Sequence, residues 1–184
     1  MAAAEAQTGA VGWTTRRAVP GDAPRLGEIT LAGWRHAYRG IVPDDRLTAL
    51  DVDTVAEVRR ETIAAPEPTA VYVVERDGAG PVQGYVVVGP PRRPDLAGDD
   101  AVPTGELATL YLDPRVIGTG AGRTLHDVGV AHLAAAGFGR AVLWAFVGND
   151  VALAFYARLG WYPDGEPFQG EGWSAPAVRW ARSL

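Results

Sequence analysis

Between Glu106 and Ala136 the chain passes from an apolar, strand-like run through Asp113-Pro114 into Gly118-Thr119-Gly120-Ala121-Gly122-Arg123, and from there directly into helical periodicity. No other feature constrains the fold as strongly. Glycines permit positive φ and close backbone approach, and the first turn of a helix leaves N–H groups without intrahelical partners. A strand delivering alternating glycines into a helix N-terminus therefore predicts a nest of backbone donors suited to phosphate oxygens. Taken alone, the hexapeptide is equally what a tight turn requires.

The surrounding pattern places this unit in a mixed α/β sheet. Trp13–Val19 is a short run rich in threonine and valine that closes at Pro20-Gly21, which predicts a first strand. Asp22 is the expected N-cap of a first helix in which Leu26, Ile29, Leu31, Trp34 and Ala37 share a face until Gly40. A turn around Pro43-Asp44-Asp45 leads to a second helix over 53–64, then to a hairpin of strands 70–76 and 82–88. The proline-rich segment 90–103 reads as an exposed loop. After it come strand 106–112, the glycine turn, a helix over about 120–136, and a buried strand over 141–146. Asn149 then caps a helix that runs through Arg158 and stops at Gly160; Trp161 and 177–181 read as final strands.

At 184 residues with 47% hydrophobic content, the chain is sized for one core, so 13–184 is expected to be a single domain behind a flexible tail of residues 1–12. The absence of cysteine removes disulfides, thiolate metal sites and a cysteine nucleophile. Net charge is −5, and the basic residues, all arginines, are dispersed along the chain; this argues against a nucleic-acid partner, which needs clustered cations. No apolar run approaches a membrane span and the first residues lack the pattern of a secretion signal, so a cytoplasmic protein is expected. His36 has no paired ligands, so no metal is expected.

Two common phosphate signatures fail on the glycine turn. G-x-G-x-x-G started at Gly118 would need glycine at Arg123, and the P-loop pattern would need glycine at Ile117 and lysine at Arg123. The third candidate fits. The strand end Leu110-Tyr111-Leu112-Asp113-Pro114, followed by Gly118, Gly120, Gly122 and Arg123, resembles the acyl-CoA motif of the GNAT acetyltransferase superfamily. Two positions depart from it: Ile117 stands where that family usually has arginine or glutamine, and Thr119 where a basic residue is common. A second stretch, Asn149 to Trp161, resembles the family's Asn-x-x-Ala-x-x-Phe-Tyr-x-x-x-Gly-Phe/Trp motif through Asn149, Ala152, Phe155, Tyr156, Gly160 and Trp161.

The resemblance implies a GNAT-type mixed, mostly antiparallel sheet of six to seven strands flanked by about four helices. It implies acetyl-CoA as co-substrate, held by Leu110, Tyr111, Leu112, Ile117, Gly118, Thr119, Gly120, Ala121, Gly122, Arg123, Asn149, Phe155 and Tyr156. It also implies direct transfer of the acetyl group to a primary amine of a small molecule or peptide, with Glu106 as general base and Tyr156 as the acid that protonates departing thiolate. Each residue has a plainer reading too: Glu106 as a solvent-facing strand glutamate, Tyr156 as a core-edge phenol, Asn149 as a helix cap. Trp34-Arg35-His36-Ala37-Tyr38-Arg39-Gly40-Ile41-Val42-Pro43 resembles a stretch bordering the acceptor pocket in one bacterial branch of the family, which makes Trp34 and Tyr38, together with Glu106, candidate acceptor contacts; aromatics four apart on a helix are also ordinary core residues. A homodimer would fit the family. An acyl-CoA-binding module without catalysis is the alternative, motivated by Ile117.

Overall fold

The computed structural model describes residues 12–77, 80–93, 102–170 and 174–184. The expected N-terminal tail lies outside them apart from Gly12, as does the middle of the proline-rich loop. The strands are β1 (Trp13–Arg17), β2 (Ala70–Arg76), β3 (Gly84–Gly89), β4 (Thr104–Leu112), β5 (Arg140–Phe146), β6 (Tyr162–Pro163) and β7 (Ala177–Ser183). The helices are α1 (Ala23–Ala37), α2 (Asp44–Thr48), α3 (Val52–Ala64), α4 (Ala121–Ala135) and α5 (Asp150–Arg158). The sequence pattern anticipates all but α2, a single turn and a half where only a turn is expected.

The strands form one sheet in the order β1-β2-β3-β4-β5-β7-β6, antiparallel throughout except for β4 and β5. That exception follows from the glycine unit: β4, α4 and β5 are consecutive, and a helical crossover returns the chain in the same direction. Alternation along the strands buries both faces. Val74, Val86, Val88, Leu107, Leu125, Leu133 and Leu143 pack on the α4 side, while Leu26, Ile29, Val71, Val73, Tyr85 and Val87 pack on the α1 side.

Two irregularities in the sheet create the site. β4 and β5 pair only over Thr104–Glu106 and Arg140–Val142, and beyond those positions the strands part. The β5-facing backbone groups of Leu107 to Leu112 therefore have no strand partner among the described residues. In addition, Val87 opposes Thr109 while Val88 opposes Leu107, so Ala108 is an extra residue in β4. Such a bulge bends and twists its strand at that point.

Asp22 corrects one local expectation. It does precede α1, but its carboxylate caps the short 3-10 turn Pro20–Asp22, accepting from the Val19 N–H at 2.8 Å and from the Arg16 guanidinium at 2.8 and 3.0 Å. The first turn of α1 includes Pro24, which has no N–H to satisfy.

Candidate active site

The parted strands open a cavity of about 1120 Å³. One wall is β4 from Leu107 to Leu112 and the other is Trp144 and Ala145 of β5 with the first turns of α5; the glycine turn closes one end and the C-terminus of α1 another.

At the glycine end the chain leaves β4 through Asp113. Asp113 is buried, and its side chain accepts from Arg25 of α1 at 2.7 Å and from the Nε and Nη2 of Arg115 at 2.9 and 2.6 Å; it also takes the Arg115 backbone N–H. The Arg115 bonds hold its pKa well below the usual carboxylate range. Three elements are thus fixed where the turn begins. Replacing Asp113 with alanine should cost about 2–4 kcal/mol of stability, read by urea unfolding. Because the folded pKa is depressed below about 3.9, that contribution is fully present above about pH 5. It is lost as pH falls through the folded value, so the difference between variant and parent should be flat near neutrality and shrink in acid.

The turn itself has the geometry of a nest. Gly118 and Gly120 adopt φ of +82° and +98°, a region that side-chain-bearing residues rarely enter. Gly120 is the N-cap of α4 and supplies no side-chain cap, so the N–H groups of Ala121, Gly122 and Arg123 open the helix without one. Ile117, Gly118, Gly120, Gly122 and Arg123 line the cavity. Thr119 and Ala121 do not. The Thr119 hydroxyl donates to Val116 O at 2.7 Å, its carbonyl accepts from the Trp13 indole at 3.0 Å, and Ala121 is in the core. Their part in the site is confined to the main chain.

Asn149 realises its capping reading, its Oδ1 accepting from the Ala152 N–H at 3.3 Å, and it also lines the cavity. Two turns on, Phe155 and Tyr156 face the same space. Tyr156 is 8% exposed, and burial raises its phenol well above the ordinary value, so it is protonated at neutral pH. Its ring packs edge-on against Phe155 and Trp161, and its hydroxyl has no hydrogen-bond partner among the described residues.

Behind these residues lies a contact that no motif signals. The Trp161 indole, donor only, donates to His126 Nε2 at 2.9 Å. The His126 proton therefore sits on Nδ1, which donates to Asp127 at 2.8 Å, and burial lowers the imidazole pKa, keeping it neutral. His126 joins α4, which opens with the nest, to the turn after α5, which carries Tyr156. A histidine 35 residues before its indole partner gives no sequence pattern from which this could be read.

Glu106 is neither the solvent-facing glutamate nor a cavity-lining one. It is 3% exposed, and its carboxylate accepts from the Arg92 N–H at 2.6 Å and from the Arg92 guanidinium at 2.8 and 3.1 Å. Leu107 is the first residue of β4 on the cavity wall. Of the expected acceptor contacts, Tyr38 lines the cavity and Trp34 does not; Trp34 packs behind Tyr38 with ring centroids 5.1 Å apart. His36, Arg39, Gly40 and Ile41 border the same end. Among the described residues, no three His, Cys, Asp or Glu side chains are grouped to hold a metal ion, and no helix is long and apolar enough to cross a membrane.

A seven-stranded mixed sheet parted beside a glycine turn, with a tyrosine-bearing helix on the far wall, defines an α/β fold that known proteins share. Residues 26–161 match the family described as Acetyltransferase (GNAT) family. The chain belongs to the GNAT family. Among curated proteins it is similar to a mycothiol acetyltransferase of Catenulispora acidiphila, 43% identical over 58 residues, which are 32% of this chain and 18% of that protein. It is also similar to a mycothiol acetyltransferase of Cellulomonas flavigena, 36% identical over 110 residues, which are 58% of this chain and 31% of that protein. The matches thus span less than a third of these relatives' length. Among solved structures, PaiA N-acetyltransferase from Thermoplasma acidophilum, in complex with coenzyme A, superposes with TM-score 0.75 at 17% identity, covering 95% of this chain and 100% of that one. YncA, a putative acetyltransferase from Salmonella typhimurium with its cofactor acetyl-CoA, gives 0.66 at 22% identity, covering 94% of each. At these identities the structures establish the shared fold.

Proposed function

We propose that the protein is an N-acetyltransferase that moves an acetyl group from acetyl-CoA to a primary amine of a small molecule or peptide. The observation that carries this reading is the alignment of three features along one cavity: the nest at Gly118–Gly122, the seam of β4 left unpaired by the described residues, and the Tyr156 hydroxyl, which has no hydrogen-bond partner among them. A pyrophosphate suits the nest by charge and by the number of N–H donors. An extended amide-bearing arm can add to β4 as a strand would, using the main-chain groups left free from Leu107 to Leu112. The thioester then falls between the bulge at Ala108 and Tyr156.

Attack by an amine needs no enzyme-bound intermediate, in keeping with a chain without cysteine. It needs the amine deprotonated, the carbonyl polarised and the thiolate protonated. Free main-chain N–H groups of β4 supply the second requirement and the protonated Tyr156 phenol the third. Glu106 is the carboxylate that β4 contributes for the first, acting through water, and its ion pair with Arg92 must open for it to do so. Glu106→Gln then lowers kcat about 100-fold, alongside the fall in melting temperature that loss of the buried ion pair brings under either role. A purely structural pair would give the same fall in melting temperature with a kcat close to that of the parent.

The cytoplasm is the compartment this reading fits, and a small-molecule acceptor accords with the name of the curated relatives. The decisive experiment mixes the protein with acetyl-CoA and a panel of amino acids, peptides, polyamines, aminoglycosides and amino sugars, following free thiol. Release above buffer hydrolysis with at least one amine is expected. Binding of acetyl-CoA with no release for any amine would favour the non-catalytic binding module.

A further inference from the structure

Tyr38 crosses the gap between the two parted strands. It ends α1 as the C-cap, with its N–H bonded to Trp34 O at 3.0 Å, and its carbonyl accepts from both Ile41 and Val42 at 3.0 and 2.9 Å. That tight turn, with Gly40 at φ +77°, fixes the direction of the side chain. The ring packs edge-on against Phe146 at the end of β5, 4.9 Å between centroids, with Trp34 behind both. The hydroxyl reaches the Tyr111 hydroxyl on β4 at 3.2 Å. One side chain thus touches both walls, and it lines the same cavity as Tyr111, Tyr156, Thr109 and Trp144.

The bracing is rigid on the β4 side as well. The Tyr111 ring lies 6.1 Å from that of Tyr85, whose hydroxyl is held by Thr30 at 2.6 Å and by the Arg59 guanidinium at 2.9 Å. Tyr38 and Tyr156 line one cavity, Tyr38 from the end of α1 and Tyr156 from α5. Resting on the reading that the thioester sulfur sits at Tyr156, the space between Tyr156 and the Tyr38–Tyr111 pair is where the acyl chain must go.

We propose that Tyr38, braced between Phe146 and Tyr111, is the end wall of the acyl pocket and restricts the donor to acetyl-CoA against longer acyl-CoAs. The selection is steric. A packed, braced ring cannot yield to extra methylenes, and each methylene that fails to fit discriminates about 10- to 200-fold.

The test compares acetyl-, propionyl- and butyryl-CoA in thiol release and in dissociation constants measured by calorimetry, for the parent, Tyr38→Ala and Tyr38→Phe. The parent should favour acetyl-CoA over propionyl-CoA by about tenfold or more and over butyryl-CoA by about 100-fold or more. Tyr38→Ala should raise the butyryl-to-acetyl ratio of kcat/KM at least about tenfold, whereas Tyr38→Phe, which keeps the ring, should hold the ratio within about twofold. If Tyr38→Ala does not fold, Tyr38→Leu, which keeps apolar contact with Phe146 and Trp34, must move the ratio the same way. A parent that accepts butyryl-CoA as readily as acetyl-CoA overturns the proposal, as does a ratio unmoved by shortening Tyr38, or one moved equally by phenylalanine. Should the parent bind acyl-CoAs without turnover, the transfer reading fails while the ratio of dissociation constants still decides the wall. Failure to bind any acyl-CoA sinks both.

Discussion

Replacing Tyr156 with phenylalanine is expected to lower the turnover of acetyl-CoA about 100-fold while its dissociation constant stays within about twofold. The change removes one oxygen and nothing else that the structure uses. Phenylalanine retains the edge-on contacts with Phe155 and Trp161, and no hydrogen bond within the described residues is broken. Stability should therefore be nearly unchanged, which separates the effect from misfolding. The phenol's pKa lies above its ordinary value through burial, so its proton is in place throughout the neutral range. The sign of the pH dependence follows: activity lost through deprotonation of Tyr156 can appear only above about pH 10. A basic limb near neutrality in the parent would have to come from another group. A Tyr156→Phe enzyme with unaltered kcat would remove the residue from the chemistry and leave it the core-edge phenol of the plainer reading.

The elements that line the cavity are the most legible in the sequence, because their signals are local. Alternating glycines, a cap at Asn149 and the three- and four-residue spacing of apolar positions each report conformation within a few residues. They predict β4, α4, β5 and α5 to within a residue or two. What decides the chemistry is long-range. The parting of β4 from β5 is a matter of register beyond Val142, and the bulge at Ala108 appears only in its pairing with β3. Neither leaves a mark in composition or periodicity. Glu106 shows the same divide. Its position on a strand was legible, but whether its carboxylate meets water or a cation depends on Arg92, which reaches it from the loop after β3. Trp34 and Tyr38 share a helical spacing, yet Tyr38 meets a strand 73 residues away and faces the cavity, whereas Trp34 only backs it. Asp113 looked like a strand end before a proline; its anchoring of Arg25 and Arg115 belongs to the tertiary fold.

The departure at Ile117 turns on how much of the phosphate grip is main chain, and Gly120→Val is expected to answer it with the largest loss in binding. Gly120 sits at φ +98° as the N-cap of α4, and a β-branched residue there costs about 1–3 kcal/mol or forces the turn to rearrange. Rearrangement re-aims the N–H groups that open the helix. A hydrogen bond to a charged group contributes about 1.5–3 kcal/mol, so losing two weakens acetyl-CoA binding at least about 100-fold. Ala121, Leu125 and Leu133 stay buried along α4, so the variant should still fold, with a melting temperature several degrees lower. Arg123→Ala is the contrasting case. Its side chain is 67% exposed and, among the described residues, makes one ion pair, 3.4 Å from Asp127, so as a solvated charge near the phosphates it should account for less than about tenfold in affinity, and that fraction should vanish at high salt. If the order is reversed, with Arg123→Ala the more damaging, the grip rests on a side chain. Ile117 would then mark a weakened cofactor site, one better suited to sensing acyl-CoA than to turning it over.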